Sequence, residues 1–264
     1  MRRLASTLDL ILAYTRANLR AALQYRASFA SEVFAMLVND VMWVSFWVAF
    51  YERYPVVQGW QRAQVVSLWA VIAVGFGLTN AVFGNLLRLA GIIARGELDF
   101  FLALPRPVLL HVLISRTSLP SWGDIAFGVL AFALLGEPDA RDWLLFAVLC
   151  VSNAGIFLGF GVCAASLAFW MRDAEGTSTQ AINTLINFAT QPTPIFQGAV
   201  KLVLMTVLPA AFLGFVPVEI LRGGHTHWLL AQAGVSAAFL ALGAWVFYRG
   251  LRRYESGNLM LVRI

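Results

Sequence analysis

Charge is scarce in this sequence: 12% of its 264 residues are Asp, Glu, Lys or Arg, about half the share of an ordinary soluble domain. Lysine is nearly absent, since Lys201 stands alone and is followed by Leu202. That excludes the Gly-x-x-x-x-Gly-Lys-Ser/Thr loop that cradles nucleotide phosphates. The three histidines, His111, His225 and His227, form no His-Glu-x-x-His pair, and no Gly-x-Ser-x-Gly elbow is present, so neither metalloprotease nor serine-hydrolase chemistry has its parts. The two cysteines, Cys150 and Cys163, lie on one apolar run, about 20 Å apart along a helix axis. They cannot pair with each other, and they lack the neighbours of a metal site. Repeats of 20 to 50 residues and low-complexity linkers are also missing.

What the chain has in abundance is apolar side chains, 60% of the total. A single soluble core cannot hide that much. Apolar stretches of about 20 residues recur, each long enough to cross a hydrocarbon layer roughly 30 Å thick. The expectation is an all-α integral membrane protein, a single transmembrane domain over residues 1–264. The net charge of +5 comes from arginines at the ends of apolar runs, which is a topology signal and argues against a nucleic-acid surface.

Residues 1–26 form a basic amphipathic helix suited to the membrane interface: Leu4, Leu8, Ile11, Leu12, Leu19 and Leu23 share one face, and Arg2, Asp9, Arg16 and Arg20 the other. The interrupting charges and the missing cleavage pattern argue that this is no signal peptide. Spans are expected near Ser28–Phe50, Gln64–Phe83, Leu119–Leu135 and Trp143–Trp170, with a fifth helix from about Thr177 and a last span from Trp228 to Arg249. The aromatic stretch Trp43, Trp47, Tyr51, Tyr54 and Trp60 suits a membrane boundary. Residues 84–107 are too charged to cross, and Pro120 is expected to kink the entry to the third span.

The stretch 195–222 is apolar but broken by Pro209 and Pro217, and it carries Lys201. Charge asymmetry decides whether it crosses. With six spans and both termini cytoplasmic, 14 of the 19 basic residues fall inside: five before Ser28, four from Arg88 to Arg116, Arg172, and four from Arg249 onward. A seventh crossing lowers that to 11 and places Lys201 in the membrane at about 3 kcal/mol. Six spans with a re-entrant helix pair before the last is therefore expected, an arrangement tolerated only where protein or water covers the exposed backbone.

Three carboxylates fall within spans: Glu32, Asp40 and Asp124. An intramembrane charge points to a polar cavity, a cation site or a proton relay. Against that stands a purely structural role, with Glu32 and Asp124 satisfied by Arg26 and Arg116 at the same level.

Three motifs carry a family resemblance. Arg95-Gly96-Glu97-Leu98-Asp99 precedes Leu-Pro-Arg-Pro at Leu104 to Pro107. Ala165-Ser166-Leu167-Ala168-Phe169-Trp170 precedes Arg172-Asp173-Ala174-Glu175-Gly176. A proline-broken run extends from Pro194-Ile195-Phe196 through Leu208-Pro209 to Pro217. In this order, behind a basic amphipathic N-terminus, they resemble the type-2 ABC exporter permease family, in its six-helix bacterial branch once known as a domain of unknown function. The resemblance covers nearly the whole chain, and its specificity lies in order and spacing.

It implies a non-enzymatic half-transporter in the bacterial cytoplasmic membrane, paired with a second permease and resting on an ABC ATPase dimer. ATP and Mg then belong to the ATPase, with no cofactor in this chain. The 84–107 segment becomes the coupling helix region: Arg88, Arg95, Glu97 and Asp99 form a charged rim around Gly96, and Leu98, Phe100 and Phe101 an apolar knob. Two rival expectations are a proton-coupled secondary transporter using Asp40 and Asp124, which lacks visible inverted repeats, and a non-transport membrane scaffold.

Overall fold

A computed structural model describes residues 2–171, 174–191, 198–223 and 226–254. Helix α1 (Arg2–Gln24) breaks at Tyr25 into α2 (Arg26–Arg53), and α3 (Arg62–Val82) follows. Three short helices come next: α4 (Leu89–Ala94), α5 (Leu98–Leu102) and α6 (Val108–Ile114). Then come α7 (Ser121–Leu135), α8 (Ala140–Ser166) and α9 (Ala174–Ala189). The chain closes with α10 (Gly198–Thr206), α11 (Ala210–Leu213), α12 (Phe215–Leu221) and α13 (Thr226–Leu251). Among the described residues the only β pairing is a bridge between Val57 and Trp60.

Four helices, α2, α3, α8 and α13, are long and apolar enough to cross a membrane. Helix α7, with 15 residues, reaches only about 22 Å at 1.5 Å per residue. The cause lies at its start. Pro120 does not kink a continuing helix; it occupies the N-cap of α7, and the chain between α6 and α7 is fully unwound. That connector stitches onto the end of α3: Ser118 N–H donates to Asn80 O at 3.0 Å, Thr117 Oγ1 to Ala81 O at 2.6 Å, and Gly84 N–H to Arg116 O at 3.0 Å. The carbonyls that end α3 gain partners this way, as buried helix ends require. Asn85 closes the same neck by donating to Val112 O and Ser115 Oγ. A Cβ on Gly84 would stand 2.5 Å from the Thr117 carbonyl carbon, so no other residue allows the neck to close.

Helix α3 is the central pillar, packed on α7, α8, α2 and α12. Helices α8 and α13 form the other tight pair, where a Cβ on Gly159 would meet the Phe239 backbone at 2.3 Å. Small residues permit such approach between membrane helices, and polar side chains then bond across the seam. Buried Asn153 bonds two neighbours: its Nδ2 donates to Leu213 O at 2.8 Å, and its Oδ1 accepts across the seam from Gln232 Nε2 at 2.8 Å. The first bond ties α11 to the bundle.

The expected re-entrant pair is three short helices, α10 to α12, interrupted near Pro209 and Gly214. Residues 195–197 of that stretch, and the prolines Pro192 and Pro194 before it, lie outside the described residues. Leu213, Val216, Val218 and Ile220 bury this segment in an apolar core shared with Trp60, Leu68, Leu149 and Leu185. At this end of the bundle Arg222 donates to Gly59 O at 2.9 Å and pairs with Glu219 at 3.1 Å, and Arg62 approaches Glu137 at 3.9 Å. A second core of Leu89, Leu98, Val112, Val162 and Phe247 binds α4 to α6 onto the opposite end.

Candidate coupling shelf and intramembrane carboxyl pair

The 84–107 segment is a folded shelf. Ile92 and Ile93 of α4 are buried, and the turn into α5 is made at Gly96 with φ +76°, a left-handed conformation that glycine adopts without strain. Leu98, expected in an outward knob, is instead 0% exposed and helps anchor the shelf to the bundle. The outward apolar residue is Phe100, 67% exposed, while Phe101 turns its ring edgewise to His111. Arg88, Arg95 and Glu97 are exposed and Asp99 is half-buried. Arg95 Nε meets Glu97 Oε1 at 2.6 Å, which holds the guanidinium still more firmly protonated. Its Nη1 lies 3.6 Å from Glu175 Oε2 at the start of α9. Burial, and then the Asp99 carboxylate, push the Tyr254 phenol up to about 12.

Beneath the shelf, Tyr14 Oη bonds His111 Nε2 at 2.5 Å, and Asn18 Nδ2 donates to Ile114 O at 3.3 Å. These contacts attach α1 to α6. Burial, and then Arg106, lower the His111 pKa below its usual 6.5. Nothing in the sequence spacing singled out Tyr14 or His111, because their partnership spans the gap between two distant segments. Glu175 stood in a recognised motif, but its reach to Arg95 depends on how α4 packs against α9.

The carboxylates of the spans do not sit as expected. Asp124 faces Asp40, not Arg116: the two carboxyl groups stand near each other across α2 and α7 and line one cavity. Both residues are buried, 7% and 3% exposed. Gly123 makes the approach possible, since a Cβ there would stand 2.5 Å from Val33 O. Asn39 Nδ2 donates to Asp40 Oδ1 at 3.4 Å, whereas Asp40 Oδ2 has no donor. Glu32 stays apart, accepting from Ser28 Oγ at 3.3 Å, and among the described residues no ion pair joins it to Arg26. Asp40 and Asp124 open on a cavity of about 540 Å³ walled by Trp43, Trp47 and Trp69, with Asn187 of α9 and Gln191 just beyond that helix at its edge.

A bundle of apolar helices, four of them long enough to span a membrane, with a packed shelf at one end and a carboxyl-bearing cavity within, is the make-up of a multi-pass membrane protein. Residues 37–257 match the family described as ABC-2 family transporter protein, and the chain belongs to that family as the permease component of an ABC transporter. Such a permease is a transport component, not itself catalytic, and membership implies association with an ABC ATPase. Comparison with curated proteins and with solved structures finds no match.

Proposed function

We propose that this permease is half of an exporter, standing beside a second permease with each shelf resting on one subunit of an ATPase dimer that binds ATP and Mg. The shelf end faces the cytoplasm with both termini, in keeping with the 14 basic residues assigned to that side. Six helices cross: α2, α3, α7, α8, α9 and α13. The short pair α7 and α9 is accommodated by local thinning of the bilayer, and α10 to α12 dip into the outer leaflet. Helix α1 lies in the inner interface, where Leu8 and Leu12 are exposed to lipid.

The observation that carries this reading is the shelf. It presents Arg88, Arg95, Glu97 and Phe100 outward from a base buried in the bundle, so a push on it moves the helices as a rigid body. Through Arg95 and Glu175 the push enters α9, whose far end borders the cavity. The test is co-purification with the co-expressed ATPase. Phe100→Asp places a charge on the apolar anchor, and losing such an anchor costs about 2 kcal/mol or more. Phe100→Asp and Glu97→Arg should both shed the ATPase and uncouple ATP hydrolysis from transport, while Arg141→Glu at the opposite end should do neither. Full retention of the ATPase and of transport in both shelf variants refutes coupling through this segment.

A further inference from the structure

We infer that the cavity between α2, α3, α7 and α9 receives an organic cation as cargo, its positive group between Asp40 and Asp124 and its apolar body against Trp43, Trp47 and Trp69. This rests on the chain being a permease and names its substrate class. Two buried carboxyl groups lining one cavity repel each other when both are ionised, and a proton or a cation beside them relieves this. No basic side chain is among the residues lining the cavity. Asp40 Oδ2 is buried without a donor, and the Trp69 ring nitrogen is buried without an acceptor, so the protein leaves polar atoms at this site for something else to satisfy.

The walls choose among cations. Hard metal ions such as Ca²⁺ take about 6 to 8 oxygen ligands, and among the described residues no group of three metal-ligating side chains occurs. Indole faces instead attract organic cations. Trp43 and Trp69 stack with centroids 6.5 Å apart at an interplanar angle of 15°, a flat wall for an aromatic or aliphatic body. The volume of about 540 Å³ lies in the range of small-molecule sites. Ile186 and Asn187 belong to α9, the helix that Glu175 links to the shelf, so the site adjoins an element that moves with it.

The experiment measures binding of tetraphenylphosphonium, and of uncharged triphenylphosphine oxide, to purified permease by quenching of tryptophan emission. The cation should bind saturably and at least tenfold more tightly than the neutral compound. Asp40→Asn and Asp124→Asn should each weaken the cation at least tenfold and leave the neutral compound unchanged, and Asp40→Glu should restore most of the loss. Trp43→Ala, at a ring 54% exposed, should weaken the cation with little change in thermal stability. Equal binding of both compounds, or undiminished cation binding in an Asp40→Asn/Asp124→Asn double variant, overturns the inference and leaves a proton-sharing pair. If the asparagine variants do not fold, the charge preference of the wild type and of Asp40→Glu decides alone. No ATPase is needed, so charge-selective binding without ATPase association would sink the exporter reading only, and the converse this one only.

Discussion

Helices α2 and α3 are adjacent in sequence, similar in hydropathy and both long enough to cross a bilayer, yet their most apolar stretches are 11% and 72% buried within the protein. Apolarity alone therefore does not place a helix in a membrane protein. Helix α3 is defined by approach: Gly75, Gly77, Thr79 and Asn80 let neighbouring backbones close in, and Thr79 Oγ1 bonds both Gly75 O and Ala154 O. Helix α2 carries Phe34, Met42 and Phe46 outward, each more than half exposed, and buries Asp40 on the side that faces α7. One helix organises the bundle. The other presents an outward apolar surface and a carboxyl group to the cavity.

The difference can be tested by substitution, beginning on the pillar. A Cβ on Gly75 would stand 2.6 Å from the Asn153 Cβ, so Gly75→Leu forces α3 from α8 and disturbs the Asn153 bonds. The expected loss is about 3 kcal/mol, seen as a collapse of the monodisperse fraction and a large fall in melting temperature. A normal melting curve would show that α3 is not the pillar.

A smaller effect is expected where attachment depends on one polar pair. Helix α1, like α2, keeps much of its apolar surface outward, and Tyr14–His111 is its most direct link to the shelf. Because the buried imidazole has a lowered pKa, the docked state binds fewer protons than the undocked one. Docking is then unaffected by pH above the ordinary value of 6.5, weakens as the pH falls below it, and levels off once the docked imidazole has titrated. Hydrogen exchange along α1 should rise on acidification, and His111→Gln should flatten that response. An identical acid response in His111→Gln would assign the effect elsewhere.

The smallest change belongs to the open face of α2. Phe34→Ala should alter the stability of a single permease by no more than about 0.5 kcal/mol, as exposed sites usually do. A loss above about 2 kcal/mol in monomeric protein would mean that this face is packed in the monomer after all.

The membrane class, the four long helices and the ionic character of the shelf were legible in the sequence, because length, apolarity and charge are local properties. The carboxyl pair was legible only as two separate residues. Asp124, like Glu32, was matched with an arginine at its membrane level and Asp40 with none, but which partner a carboxyl meets is set by lateral packing, here by Gly123 against Val33. Leu98 was misplaced for a similar reason: α5 is too short for periodicity to tell its buried side from its exposed one. The fracture before α7 was also hidden, since its cause is the set of bonds to Asn80 and Ala81, far back in the chain.

The neck at Gly84 and Arg116 has an evolutionary corollary. A segment whose two ends are joined by a hydrogen bond at 3.0 Å is geometrically an insertion, leaving the bundle and rejoining it at one point. Its outward residues can drift without altering the register of α3 or α7, while Leu89, Leu98 and Val112 stay fixed by the core they share with Val162 and Phe247, and closing a loop of different length changes the entropic cost only slowly. Whatever docks on the shelf can thus diversify independently of what passes through the bundle, and kinship in one should be a poor guide to kinship in the other.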